Sequence, residues 1–154
     1  MQKAVVQKLI EKGYHISFAE SCTGGLAAAA LVSVADASKV FDISFVTYAN
    51  EAKMKYLGVR SDIIEQYGVV SEEVACQMAE GTAGEAGSEI GVGITGVAGP
   101  GGGTARKPVG MVCFGFYIDG AVYAATKQFG DIGRNEVRQR SVDYVYEKLS
   151  ELLG

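Results

Sequence analysis

The sequence contains no tryptophan, two prolines and one histidine in 154 residues. Because His15 is the only histidine, a metal site built from several histidines is excluded, and a serine–histidine hydrolase would have to use this residue. The three cysteines include no C-x-x-C pair, which argues against a disulfide framework and against a zinc site. This use of cysteine fits a reducing compartment, so we predict a cytoplasmic protein.

Long apolar runs and clusters of basic residues are also missing. No stretch approaches the roughly 18 apolar residues of a membrane-spanning helix. Residues 2–12 have the pattern of an amphipathic helix and not of a signal peptide, because charged residues interrupt them. The 14 basic side chains are scattered and outnumbered by 18 acidic ones, so we expect neither a nucleic-acid partner nor a membrane partner. We predict a single domain over residues 1–154.

The spacing of apolar residues predicts alternating helices and strands. Asn50 and Ser71 are predicted to cap helices, and the dipeptide Asp119-Gly120 predicts the turn of a hairpin. This order gives a three-layer α/β/α sandwich with a mixed, mostly parallel sheet and a C-terminal hairpin. The predicted strands are residues 15–19, 41–48, 90–94, 109–118 and 121–129, and the main helices are 2–12, 26–31, 50–58, 61–68, one from 72 onward, and 134–152.

A serine stands at the first predicted turn between a strand and a helix, in residues 20–25 (ESCTGG). Ligands of α/β proteins bind at the carboxyl ends of strands, so Ser21 is placed to act as a nucleophile. The N–H groups of residues 22–24 are candidates to hold an oxyanion. The simpler interpretation is that Ser21 or Thr23 caps the helix. Cys22 is an alternative nucleophile, although the sequence offers it no partner histidine.

A serine needs a base, and the candidates are His15, a carboxylate or a lysine. His15 begins the first predicted strand and is therefore expected at the opposite end of the sheet from Ser21. Lys53 lies in the first turn of the helix after the second strand, close to Ser21 if the two strands are parallel. A desolvated lysine can act as a base, and Tyr48 can relay a proton. The alternative is a solvated lysine and a half-buried tyrosine.

A second glycine-rich segment, residues 95–103, lacks the G-K-[ST] of a Walker motif. Its glycines allow a ligand to approach the backbone closely, and Arg106 and Lys107 beside it favour a phosphate or carboxylate. A surface loop without a ligand is the alternative. Arg134 and Arg138, in the last helix, either contact an anionic ligand or lie on the helix surface.

Six motifs in one order closely resemble the CinA C-terminal domain family. The resemblance runs from about residue 5 to the C-terminus. The first motif is very specific, and five more in the same order make chance agreement implausible. The motifs are residues 19–25 (AESCTGG), 48–53 (YANEAK), 57–59 (LGV), 68–75 (GVVSEEVA), 96–102 (GVAGPGG) and 107–110 (KPVG).

The resemblance implies an α/β/α fold and a serine–lysine amidohydrolase in which Ser21 is the nucleophile, Lys53 its base and Tyr48 an assistant. Characterised members are nicotinamide-nucleotide amidases of the PncC type. They convert nicotinamide mononucleotide to nicotinic acid mononucleotide and ammonia, and no metal or organic cofactor is implied. A stand-alone homodimer is expected. The residues expected to bind substrate are Cys22, Thr23, Gly24, Gly25, Asn50, Thr95, Gly96, Gly99, Gly101 and Arg134.

The sequence departs from the family pattern at three places. Ala49 replaces a serine, Met111 replaces a threonine, and Ile132-Gly133 intervene before Arg134. Two other functions remain open at this point. One is a nucleotide- or anion-binding module without turnover, and the other is an amidase for a different small amide.

Overall fold

The computed structural model describes all 154 residues, which form one five-stranded sheet between two layers of helices. The strands are β1 (Ile16–Glu20), β2 (Phe45–Val46), β3 (Ile90–Gly96), β4 (Met111–Ile118) and β5 (Ala121–Gln128). The helices are α1 (Gln2–Lys12), α2 (Leu26–Val32), α3 (Asn50–Leu57), α4 (Ser61–Tyr67), α5 (Glu72–Ala86) and α6 (Arg134–Leu153), with a short 3-10 helix at Ala37–Lys39.

The strand order in the sheet is β2-β1-β3-β4-β5. β1 pairs in parallel with β2 and β3, whereas β4 pairs antiparallel with β3 and β5. Four strands therefore point the same way and only β4 opposes them, although parallel and antiparallel pairings are equal in number. The predicted mixed α/β sheet and its C-terminal hairpin are confirmed, with Asp119 and Gly120 both at positive φ in the hairpin turn.

The two helical layers pack on the sheet in different ways. On one face, α1, α2 and α6 bury large side chains such as Phe18, Phe114 and Tyr146 in the main core. On the other face, α5 lies very close to the strands, because the sheet presents glycines there. A Cβ added at Gly93 would lie 2.1 Å from the carbonyl oxygen of Ala75 on α5. The glycines thus set how closely the helix approaches the sheet.

The prediction of a full strand over residues 41–48 is wrong, because only Phe45–Val46 form β2. Before Phe45, hydrogen bonds that involve side chains take the place of regular backbone pairing between this segment and β1. Ser17 Oγ donates to the carbonyl of Ile43 at 2.7 Å, and the N–H of Phe18 donates to Ser44 Oγ at 2.8 Å. The segment runs beside β1, but these serine contacts interrupt regular pairing.

Smaller differences concern where elements begin and end. Asn50 is not a cap, since it is the first residue of α3 and Ala49 occupies the cap position without a side-chain bond. Ser71 does cap α5, because its Oγ accepts from the N–H of Val74 at 3.2 Å. β3 runs two residues further than predicted and includes Thr95 and Gly96, which pair with β4. No helix combines the length and the apolar character needed to cross a bilayer.

Candidate active site

Ser21 and Lys53 meet at the carboxyl edge of the parallel strands. Ser21 follows the last residue of β1, and α3 begins four residues after β2, which ends at the same edge. Lys53, in the first turn of α3, places its Nζ 3.2 Å from Ser21 Oγ and 3.2 Å from the carbonyl oxygen of Tyr48, donating to both. The contact that the sequence predicted only for parallel strands is therefore present in the structure.

The amine of Lys53 lies in an unusual environment for a lysine. The residue is 1% exposed, and no carboxylate forms a salt bridge with it. Burial lowers the pKa of Lys53 from its usual 10.5, with only a smaller opposing effect from Cys22. A lowered pKa increases the fraction of neutral amine at a given pH, and a neutral amine can take the proton of a neighbouring hydroxyl.

The turn after β1 is built around the buried side chain of Glu20. Its carboxylate accepts from Thr23 Oγ1 at 2.6 Å and from the N–H groups of Ala27 and Ala28 at 2.9 and 3.0 Å. These bonds satisfy the first turn of α2 and hold the chain directly beyond Ser21. Glu20 is therefore a structural part of the site, and the sequence motif had given it no role of its own.

The backbone N–H groups of this turn are not equivalent. The N–H of Gly24 donates to the carbonyl of Ser21 at 3.1 Å, and that of Ser21 donates to Ile94 at 3.1 Å. The N–H groups of Cys22 and Thr23 form no hydrogen bond within the protein. Of the amides of residues 22–24, which the sequence predicts to hold an oxyanion, that of Gly24 is already engaged and Thr23 is fully buried. The N–H of Cys22 remains as the donor available to a substrate.

The alternative nucleophile and the alternative base are both poorly placed. Cys22 is buried, and burial raises the pKa of its thiol to about 11, which opposes thiolate formation. His15 lies at the opposite end of β1 from Ser21, where its Nδ1 contacts Asp42 Oδ2 at 2.6 Å. Both observations favour Ser21 as nucleophile and Lys53 as base.

Two adjoining cavities open at this edge of the sheet. The first, of about 200 Å³, is lined by residues that include Ser21, Lys53, Asn50 and Thr95. The second, of about 280 Å³, extends along the glycine-rich segment. The residues that line both cavities are Cys22, Tyr48, Val69, Val70 and Gly96, and those that line only the second include Gly99, Gly101, Gly102 and Arg134. The two volumes form one cleft with the nucleophile at one end.

Arg134 and Tyr48 meet at the second cavity. Arg134 donates from Nη1 to the carbonyl of Gly99 at 2.8 Å and from Nη2 to the hydroxyl of Tyr48 at 2.9 Å. Tyr48 is 61% exposed, and its hydroxyl bonds to neither Ser21 nor Lys53. The structure thus places the Tyr48 hydroxyl with the arginine, while the Tyr48 carbonyl contacts the amine of Lys53.

Several predicted binding residues lie outside the cavities. Thr23, Gly24 and Gly25 line neither of them, since the Thr23 side chain is buried against Glu20. Lys107 donates to the carbonyls of Tyr67 and Val70, which ties the segment before α5 in place. Its ammonium therefore has a structural role.

Sequence reasoning gave no role to Val69 and Val70. Both line the two cavities, and their apolar character gave no functional signal beyond their position in a family motif. Thr95, which the sequence predicts to bind substrate, lines the first cavity, and its hydroxyl donates to the carbonyl of Val69 at 3.0 Å. This contact joins the end of β3 to the wall of the cleft.

Comparisons with known proteins show the family to which the chain belongs. The family model described as "CinA C-terminal domain" matches residues 1–153. A CinA-like protein of Kosmotoga olearia is 46% identical over 157 residues, covering 99% of this chain and 38% of the relative. A putative competence-damage inducible protein of Clostridium acetobutylicum is 51% identical over 140 residues, which is 90% of this chain and 34% of the relative. The chain thus spans about a third of the length of these relatives.

Solved structures give the same result. The competence/damage inducible protein CihA of Agrobacterium tumefaciens is similar with a TM-score of 0.92 at 40% identity, covering 99% of this chain and 96% of that one. A CinA superfamily protein of Klebsiella pneumoniae has a TM-score of 0.94 at 34% identity, covering 99% of this chain and 94% of that one. From its sequence, its fold and the placement of its motifs, the chain belongs to the CinA C-terminal domain family.

Proposed function

We propose that this protein is an amidohydrolase that deamidates nicotinamide mononucleotide to nicotinic acid mononucleotide and ammonia. The observation that carries the proposal is the 3.2 Å contact between the buried amine of Lys53 and the hydroxyl of Ser21. A serine hydroxyl is a weak nucleophile until a base takes its proton, and Lys53 is the only basic side chain in contact with it. The substrate class rests on the family resemblance together with the shape of the cleft.

The reaction proceeds through an acyl-enzyme. Neutral Lys53 accepts the proton of Ser21 as the oxygen attacks the carboxamide carbon, and a tetrahedral intermediate forms. The N–H of Cys22 stabilises its oxyanion. The Lys53 ammonium then gives its proton to the leaving nitrogen, and ammonia departs. Lys53 next takes a proton from water as the water oxygen attacks the ester. It then returns this proton to Ser21 Oγ as the acid leaves, which regenerates the hydroxyl and the neutral amine.

The two-part cleft suits a nucleotide with its amide at one end. The nicotinamide ring occupies the cavity of about 200 Å³ beside Ser21, which places the carboxamide carbon at the hydroxyl. The ribose and phosphate extend into the second cavity of about 280 Å³. There the backbone N–H groups of the lining glycines and the guanidinium of Arg134 supply donors for an anion.

The test is ammonia release from nicotinamide mononucleotide by wild type, Ser21→Ala and Lys53→Met. We expect each substitution to lower kcat/KM on the order of 10³-fold or more, since nucleophile and base act as a unit. Lys55→Met is the matched control, because Lys55 lies on the same helix and is exposed. Activity that survives both site substitutions would refute the serine–lysine assignment.

Substrate choice is tested with the same assay. Free nicotinamide can fill only the first cavity, so we expect a much lower kcat/KM for it than for the mononucleotide. Faster release of ammonia from another small amide would assign a different substrate. Binding of the mononucleotide in a thermal-shift assay without ammonia release would instead support a binding module.

A further inference from the structure

Arg138 connects the last helix to the turn that carries the nucleophile. From α6, its Nε donates to the carbonyl of Cys22 at 2.9 Å and its Nη2 donates to the carbonyl of Thr23 at 3.2 Å. Its remaining Nη1 donates to Asn135 Oδ1 at 3.0 Å on the same helix. A Cβ added at Gly24 would lie 3.3 Å from Nη2, so the guanidinium packs directly against the turn.

These bonds fix the direction of two peptide groups. In a trans peptide, the carbonyl and the N–H of the next residue point in opposite directions. Because Arg138 holds the carbonyl of Thr23, the N–H of Gly24 must point away from the guanidinium. This N–H donates to the carbonyl of Ser21 at 3.1 Å, which fixes the direction of the Cys22 N–H in the same peptide. Arg138 therefore sets the direction of the Cys22 N–H, and Cys22 lines both cavities.

We infer that Arg138 is a positioning residue that orients the N–H of Cys22 as a preformed oxyanion donor. This inference rests on the proposed function, since it concerns stabilisation of the tetrahedral intermediate. Preformed donors stabilise developing charge without reorganisation of the backbone during the reaction. A guanidinium suits the role because its planar fork reaches two carbonyl oxygens at once, whereas a lysine ammonium is a single point of contact.

Attachment of α6 does not depend on this arginine. Tyr146 Oη donates to the carbonyl of Ala27 at 2.6 Å, so a second polar contact ties α6 to α2. Val137, Val142 and Leu149 on the same helix are buried in the main core. Loss of the Arg138 guanidinium is therefore expected to leave α6 docked and to change the turn.

The kinetic experiment compares wild type with Arg138→Lys and Arg138→Gln. We expect kcat to fall about 10-fold to 10²-fold while KM changes little, because a misdirected donor weakens stabilisation of the transition state and not substrate binding. Arg140→Lys is the matched control, since Arg140 is exposed on the same helix and pairs with Glu136. In a third variant, Arg138→Ala, added methylguanidinium should restore part of kcat. An unchanged kcat in Arg138→Lys and in Arg138→Gln, or a loss confined to KM, overturns the inference.

A crystal structure of Arg138→Lys tests the same point without reference to activity. We expect the Ser21–Cys22 peptide to turn from its wild-type orientation while α6 keeps its position. An unchanged turn overturns the inference, and Arg138→Gln serves the same purpose if the lysine variant does not fold. If the peptide turns but the wild type releases no ammonia, the positioning role stands and the proposed amidase function fails.

Discussion

The amine of Lys53 lies 3.2 Å from the hydroxyl oxygen of Ser21, although 32 positions separate the two residues. The contact exists because β1 and β2 are parallel neighbours whose carboxyl ends reach the same edge of the sheet. Ser21 follows one strand directly, and the helix that begins shortly after the other carries Lys53. Burial of the amine at this position favours its neutral form, which is the form that the proposed mechanism requires.

The rate of the proposed amidase reaction is expected to rise with pH. In the proposed mechanism neutral Lys53 is the active form, and burial lowers the pKa of Lys53 below its usual 10.5. We expect kcat/KM to increase as Lys53 loses its proton and to level off below pH 10.5. Steady-state kinetics of ammonia release over a range of pH checks this. A rate that falls over the same range, with the protein still folded, would contradict a lysine base.

Lys53→Met is expected to stabilise the protein at neutral pH while it abolishes activity. The unfolded chain keeps Lys53 protonated up to about its usual pKa of 10.5, whereas the folded state disfavours the buried ammonium. The wild-type free energy of unfolding should therefore rise with pH between the lowered pKa and 10.5. Methionine removes this dependence, so its stability advantage should shrink as pH rises.

Urea denaturation at neutral and at alkaline pH measures this difference. Lys55→Met serves as control, because its exposed side chain pays no comparable desolvation cost. A Lys53→Met variant that is less stable than wild type at neutral pH would show that the contacts of the amine outweigh its burial.

Tyr48→Phe separates two roles of this tyrosine. Its hydroxyl accepts from Arg134 at 2.9 Å and does not contact Ser21 or Lys53. We therefore expect KM to rise about 2-fold to 10-fold, the cost of one hydrogen bond, with a smaller change in kcat. Steady-state kinetics decides the point. A loss of kcat on the order of 10²-fold or more would show that the hydroxyl moves a proton during the reaction.

Two glycine-to-alanine substitutions should change stability in opposite directions. A Cβ at Gly93 would lie 2.1 Å from the carbonyl oxygen of Ala75, so Gly93→Ala must push α5 from the sheet. We expect a loss of about 1–3 kcal/mol from this overpacking. Gly84 lies within α5 with no atom near its added Cβ, so Gly84→Ala should stabilise by about 1 kcal/mol. Urea denaturation measures both, and equal stabilities would contradict the close approach of α5.

Local patterns predicted most elements because their signals act over a few residues. Gly13 ends α1 in a left-handed conformation, Ser71 caps α5, and the Asp119-Gly120 turn closes the hairpin. The same approach was wrong for residues 41–48. Their alternation favours a strand, but Ser17 and Ser44 bond to the neighbouring backbone and break the pairing. Such contacts join residues distant in the chain and leave no local pattern.

The chain itself determined the elements, the motifs and the residue types available for chemistry, since each depends on neighbours in the sequence. Only the tertiary structure decided which groups meet: that Lys53 is buried against Ser21, that the Tyr48 hydroxyl faces Arg134, and that Arg138 holds the turn. The physical reason is that desolvation and hydrogen-bond direction depend on everything packed around a group. A lysine in a sequence has its ordinary pKa, and folding lowers it.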